Sequence, residues 1–194
     1  MSFLTGTQME LLYSLPAAVT KNTYTTEACM SALAATAPVA AIPAGYFGSV
    51  PNGVGRALLL RAWGTIATTS AATFSMALGL DTTAGTKAAS AVTCFAATAP
   101  TASVTAQWDL EVGYTCQAVG QGGGMTIQVN GRFEAQSVAT GGVMNATGLS
   151  AGFAATHTGL LASTTYFVEL FGTWSASASG NTTTLQQMML FGCN

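Results

Sequence analysis

The sequence predicts an all-β fold: an antiparallel β-sandwich of jelly-roll topology with an extended N-terminal segment. Three observations lead there. Apolar residues recur at every second position through several runs, the period of a strand with one dry and one wet face. Clusters of Gly, Pro, Asn and Asp separate those runs. Charged residues are only 6% of the 194, too few Lys, Glu and Arg to cover long solvated helices.

Taken in chain order, residues 1–41 read as an N-terminal extended arm with the first short strands, and 42–194 as the jelly-roll sandwich. Weak strand patterns lie at 10–14 and 22–30. The Ala-rich stretch 30–41 has helical propensity, but prolines bound it and it lacks an amphipathic period, so extended chain or at most one turn is expected. Residues 56–68 are apolar on both sides, with Leu58, Leu60 and Ile66 on one and Leu59 and Trp63 on the other. Residues 73–80 alternate through Phe74, Met76, Leu78 and Leu80, and 91–97 repeat the pattern weakly.

Two long alternating runs follow. Trp108, Leu110, Val112, Tyr114 and Cys116 mark the dry side of 107–118, and Met125, Ile127, Val129, Phe133 and Ala135 that of 125–136. Directly opposed residues of a hairpin share a face. With the charges kept on the wet face, Arg132 is expected opposite Glu111 or Asp109, because a register opposing Glu111 to Glu134 sets like charges together. Asp109, Glu111 and Arg132 are therefore a candidate cross-strand ion-pair group.

Gly and Thr around 140–150 suggest a long irregular connection. Residues 166–174 and 182–193 are again apolar on both faces. Phe167 and Phe171 stand opposite Tyr166, Val168, Leu170 and Trp174, while Met188 and Leu190 stand opposite Leu185, Met189, Phe191 and Cys193. Strands apolar on both faces imply a second layer or a subunit contact. Leu59, Trp63, Phe167, Phe171, Met188 and Leu190 are the candidate interface residues.

Composition excludes several function classes. Five basic residues scattered along a chain of net charge −2 cannot neutralise a phosphate backbone, so no nucleic-acid partner is expected. Mean hydropathy is +0.44, yet every candidate membrane span is interrupted by Thr, Ser, Gly or a charge, so no membrane partner is expected. The first residues carry neither a basic n-region nor an apolar h-region, so no signal peptide is expected.

Chemistry-bearing motifs are sparse. Cys29, Cys94, Cys116 and Cys193 form no CxxC pair, and Cys94 and Cys116 read as small buried hydrophobes. The single histidine, His157, reads as a loop residue without a catalytic role, and no GxSxG elbow occurs. The Gly120–Gly124 cluster lacks the Lys-Ser/Thr of a phosphate loop and reads as a turn. Asp109, Glu111 and Glu134 beside Arg132 read as a solvated face rather than a calcium site. No enzyme activity, cofactor or metal is expected. The acceptor patterns at Asn145 and Asn181 read as chance matches in a Thr-rich chain. Trp108 reads as core, and Trp63 and Trp174 as more open.

One resemblance rests on Asn22-Thr23 with Thr26-Glu27, Ile42-Pro43-Ala44-Gly45-Tyr46-Phe47, the run from Gly55-Arg56 to Trp63-Gly64, Trp108-Asp109-Leu110-Glu111-Val112, and Thr173-Trp174-Ser175-Ala176-Ser177 before Asn181-Thr182. From about residue 9 onward this order resembles a family of jelly-roll virion proteins of tailed bacteriophages. The resemblance implies a trimer-forming structural module with no catalytic residues to carry over. The expected role is a capsid decoration (cement) protein on the virion surface. It would be made in the host cytoplasm and would bind the major capsid protein as a homotrimer. The alternative is a tail or fibre jelly-roll module that binds host receptor glycan, with Tyr46, Trp63 or Trp174 facing solvent in a polar groove. A glycan hydrolase using two of Asp109, Glu111 and Glu134 ranks third.

Overall fold

The computed structural model describes residues 9–22, 25–26, 28–31, 39–47, 56–68, 72–87, 91–98, 104–120, 123–137, 149–178 and 180–193. Among them the regular elements are twelve strands. These are β1 (Met9–Ser14), β2 (Val19–Asn22), β3 (Ala28–Cys29), β4 (Ala41–Ile42), β5 (Ala57–Thr68), β6 (Phe74–Asp81), β7 (Val92–Thr98), β8 (Val104–Val119), β9 (Gly124–Ser137), β10 (Leu149–Leu161), β11 (Tyr166–Trp174) and β12 (Thr182–Cys193). Among the described residues no helix is long and apolar enough to cross a membrane.

All pairings are antiparallel. A long sheet runs β1-β12-β5-β8-β9-β10, with β2 also on β12. A shorter sheet runs β3-β11-β6-β7, with β4 also on β11. The dry side chains of both sheets join one apolar core. Leu60, Leu110, Val112 and Phe133 come from the long sheet, and Phe74, Met76, Leu170 and Trp174 from the shorter one. Phe74 and Trp174 pack with ring centroids 4.9 Å apart.

The runs expected at 56–68, 107–118, 125–136, 166–174 and 182–193 fall on β5, β8, β9, β11 and β12. The division at 41/42 falls inside β4. On its N-terminal side, β1 and β2 are hydrogen-bonded to β12 and β3 to β11, so the arm is built into both sheets. The irregular connection expected around 140–150 overlaps a strand only at its last two residues: Leu149–Leu161 form β10, a strand the sequence reading did not propose, paired along β9. Gly152, Ala154, Ala155 and Thr156 leave that strand little apolar alternation in sequence, although Phe153 and Leu160 pack against the core and His157 is buried. Residues 138–148 lie outside the described residues, as does the turn at 51–53.

One register shift changes the reading of β12. A bulge at Gln186, between Leu185 and Gln187, adds one residue and reverses the alternation beyond it. Leu185, Met188 and Leu190 therefore all face inward, and Met188 and Leu190 are 0% exposed. Both belong to the core, not to an outer interface. Phe171 is also buried, lying across Gly79, where an added Cβ would come 2.6 Å from its ring.

Buried ionisable groups give the fold a pH dependence. Glu169 on β11 is buried; its Oε2 accepts from the Gly85 N–H at 2.7 Å and its Oε1 from the Cys29 thiol at 3.5 Å. Gly85 has a φ of 77°, a left-handed turn conformation that suits glycine. Burial pushes the Glu169 carboxyl above its ordinary 4.5, against the lowering effect of those two hydrogen bonds. A carboxyl with a higher pKa folded than unfolded binds its proton more tightly in the native state, so its contribution falls as pH rises through that window. His157 has the opposite sign. Burial lowers it from 6.5, so its contribution is full above 6.5 and is lost as pH falls. Urea titrations across pH should show wild type losing stability relative to Glu169→Gln as pH rises from about 4.3. A constant difference between the two curves would contradict this.

Candidate functional site

The register of β12, β5, β8 and β9 sets the outward side chains of the long sheet in rows. Leu11, Phe191 and Leu59 form one row. The next holds Met189, Arg61, Glu111 and Arg132, and the one after it Gln187, Trp63, Asp109 and Glu134. Thr184, Thr65 and Gln107 follow.

Charge gathers in the middle of this face. Glu111 stands directly opposite Arg132. Its ion pair, however, is with Arg61 on its other side, whose Nε and Nη2 donate to Glu111 Oε2 at 2.9 and 2.5 Å. Arg132 reaches along its own strand instead, with Nη1 3.3 Å from Glu134 Oε1. Reading one hairpin alone could not reveal Arg61, which arrives from β5. These pairs are solvent-exposed and contribute only about 0–1 kcal/mol each. Stability therefore does not account for the concentration of charge. Asp109 and Glu134 are directly opposed acids, an unfavourable arrangement. Burial raises the Asp109 carboxyl, and the Glu111 and Glu134 charges add to this against the lowering effect of Arg61 and Arg132.

A groove of about 440 Å³ opens beside these acids, lined by Trp63, Gly64, Gln107, Trp108, Asp109, Glu134 and Gln186. The β12 bulge creates it by turning Gln186 out to solvent opposite the Gly64 segment. Gly64 has no room for a side chain: a Cβ there would overlap the Thr184 carbonyl oxygen and come 2.9 Å from Trp108 Cζ2. Trp63 forms a wall and is 36% exposed. Gly64, Gln107 and Gln186 escaped the sequence reading. A lone glycine inside a strand was the available signal, since it marks a bulge or a close backbone approach.

The opposite end of the face is apolar. Met9 and Leu11 on edge strand β1 are 53% and 55% exposed, beside half-buried Phe191, Met189 and Leu59. Of the six residues expected at an interface, Leu59 and Trp63 lie on this face. Phe167 is half-buried on β11, and Phe171, Met188 and Leu190 are buried. Trp174, expected to be open, is buried against Phe74. Tyr46 is half-buried, with its hydroxyl donating to the Ala57 carbonyl at 2.9 Å and the Arg56 guanidinium 5.3 Å from its ring centre.

His157, expected in a loop, is buried in β10. All four cysteines are free thiols, and burial pushes the Cys94 thiol up to about 12. A thiol so protonated is a poor nucleophile. Among the described residues no group of three His, Cys, Asp or Glu could hold a metal ion. No protein-family model matches this chain, and no curated protein matches it.

Proposed function

We propose that the protein is a structural virion component of a tailed bacteriophage. It is a jelly-roll sandwich that binds the outer head surface as a homotrimer and cements the joints of the major capsid protein. The observation that carries this reading is the apolar end of the long sheet, where Met9, Leu11, Leu59, Met189 and Phe191 gather on a chain with only 6% charged residues. Exposed contiguous apolar surface marks an interaction site, and a surface so poor in charge suits an assembled protein better than a free one.

Strand order supports the jelly-roll part. One sheet contains β1-β12-β5-β8 and the other β3-β11-β6-β7, the order made by a long hairpin wound on itself, with β9 and β10 added at one edge. The sequence resemblance to phage virion proteins supplies the biological setting.

Mixing purified protein with capsids that lack it tests the proposal. Bound protein should raise the temperature at which the capsids release their contents. Leu11→Asp, at an exposed edge position, should weaken binding at least about tenfold by placing an unpaired charge in the contact. Wild-type protein that leaves the capsids bare would refute the reading.

A further inference from the structure

We infer that the groove beside Trp63 is a binding site for a guanidinium cation, the head group of an arginine side chain. The groove lies at the polar end of the long sheet. Trp63 is four residues along β5 from Leu59, about 13 Å from the apolar end. The site therefore stands or falls apart from the capsid reading.

The middle of this face carries one acid too many. Arg61 is committed to Glu111, and Arg132 to Glu134 at 3.3 Å. Asp109 has neither an ion pair nor a hydrogen bond among the described residues. Three acids against two arginines leave one negative charge, and it falls on a residue that lines the groove. Glu134, directly opposite Asp109, lines the groove as well. A monovalent cation there would offset the repulsion between the two acids.

An aromatic wall stands beside that charge. Trp63 is directly opposite Asp109 across β5 and β8, and it is 36% exposed. Side chains opposed in this way start about 4.5–5.5 Å apart at Cβ. One planar cation can therefore lie on the indole face and give two parallel N–H groups to the carboxylate. No cation of the chain takes that place. Among the described residues the cation over a ring is Arg56, on Tyr46. Arg61, two residues from Trp63 on the same face, is turned to Glu111 by two hydrogen bonds.

The rest of the lining selects among cations. A guanidinium has five N–H donors and no acceptor. Gln107 and Gln186 supply amide oxygens for the donors that Asp109 leaves. An ammonium is more strongly hydrated and cannot lie flat on an indole. A divalent metal ion lacks ligands, since no group of three His, Cys, Asp or Glu could hold one among the described residues. An anion would meet two carboxylates. The volume of about 440 Å³ is more than one guanidinium fills, which leaves room for the aliphatic stem that carries it.

Nitrogen–proton correlation NMR on the full chain tests this, with Nα-acetylarginine amide as the probe. The backbone amide signals of Gln107 and Glu134 should shift and saturate. Nα-acetylcitrulline amide has the same shape without the charge and should bind about fivefold more weakly or less. Trp63→Ala and Asp109→Asn should each weaken the arginine probe about threefold or more, and Trp63→Phe should retain most of the binding. Asp109→Asn also removes the opposed charge, so its fold should be at least as stable as wild type; near-UV circular dichroism checks each variant. Methylguanidinium separates two sources of the group. Equal affinity for it identifies a free small cation, and severalfold tighter binding of the capped arginine identifies a protein side chain. Both results support a guanidinium site. Absence of a saturable shift overturns it. So does citrulline binding equal to arginine, or arginine binding unchanged in both Trp63→Ala and Asp109→Asn.

Discussion

Gly64→Ala is expected to destabilise the protein by about 3 kcal/mol or more, at the upper end of overpacking costs. The new Cβ would overlap the Thr184 carbonyl oxygen and come 2.9 Å from Trp108 Cζ2. Neither neighbour yields easily. The carbonyl belongs to the β12 backbone beside the Gln186 bulge, and the indole is held against Phe133. Relief requires the two strands to part where the groove is built. Gly113→Ala on β8 is the control. Its nearest neighbour is the Asn130 carbonyl oxygen at 3.8 Å, an ordinary contact, so the change should stay within about 1 kcal/mol. Urea denaturation of the two variants should separate them clearly, and equal midpoints would contradict the close approach at Gly64.

Leu190→Ala should cost about 2–5 kcal/mol, the range for truncating a buried leucine. Its effect should be the same at every protein concentration, because Leu190 is 0% exposed within a single chain. An interface residue behaves differently: its loss weakens assembly and leaves the isolated chain nearly as stable. Leu11→Ala should follow that second pattern, since Leu11 is 55% exposed. Thermal melts over a wide concentration range distinguish the two. A concentration-dependent loss for Leu190→Ala would return that residue to the interface.

The contrast between these leucines marks how far the sequence could be read. Period two located the long strands, because a half-buried strand must alternate. Setting Arg132 against an acid left two registers for β8 and β9, and the one with Glu111 opposite Arg132 is found, although it also opposes Asp109 to Glu134, so like-charge avoidance was not what decided it. Alternation failed where its premise failed. In β12 one bulged residue exchanged the two faces, so Met188 and Leu190 were assigned outward. In β10 small side chains erased the pattern, although the backbone pairs along β9. The groove was half legible: Trp63, Asp109 and Glu134 stood out by residue type. Gly64, Trp108 and Gln186 join them only through packing across three strands, which no local pattern encodes.

Among the described residues the long sheet also has unequal ends, one apolar on β1, β12 and β5, the other polar around the groove. That asymmetry fits a protein that docks with one part of its face and leaves another open to solvent. The central claim is that the apolar end is the assembly surface of a phage head protein. Electron cryomicroscopy of capsids mixed with the purified protein tests it most directly. The expected image has ordered copies on the head, with Met9, Leu11, Leu59 and Phe191 against the capsid or a neighbouring copy. Heads without added density, or bound copies with that face toward solvent, would contradict the account.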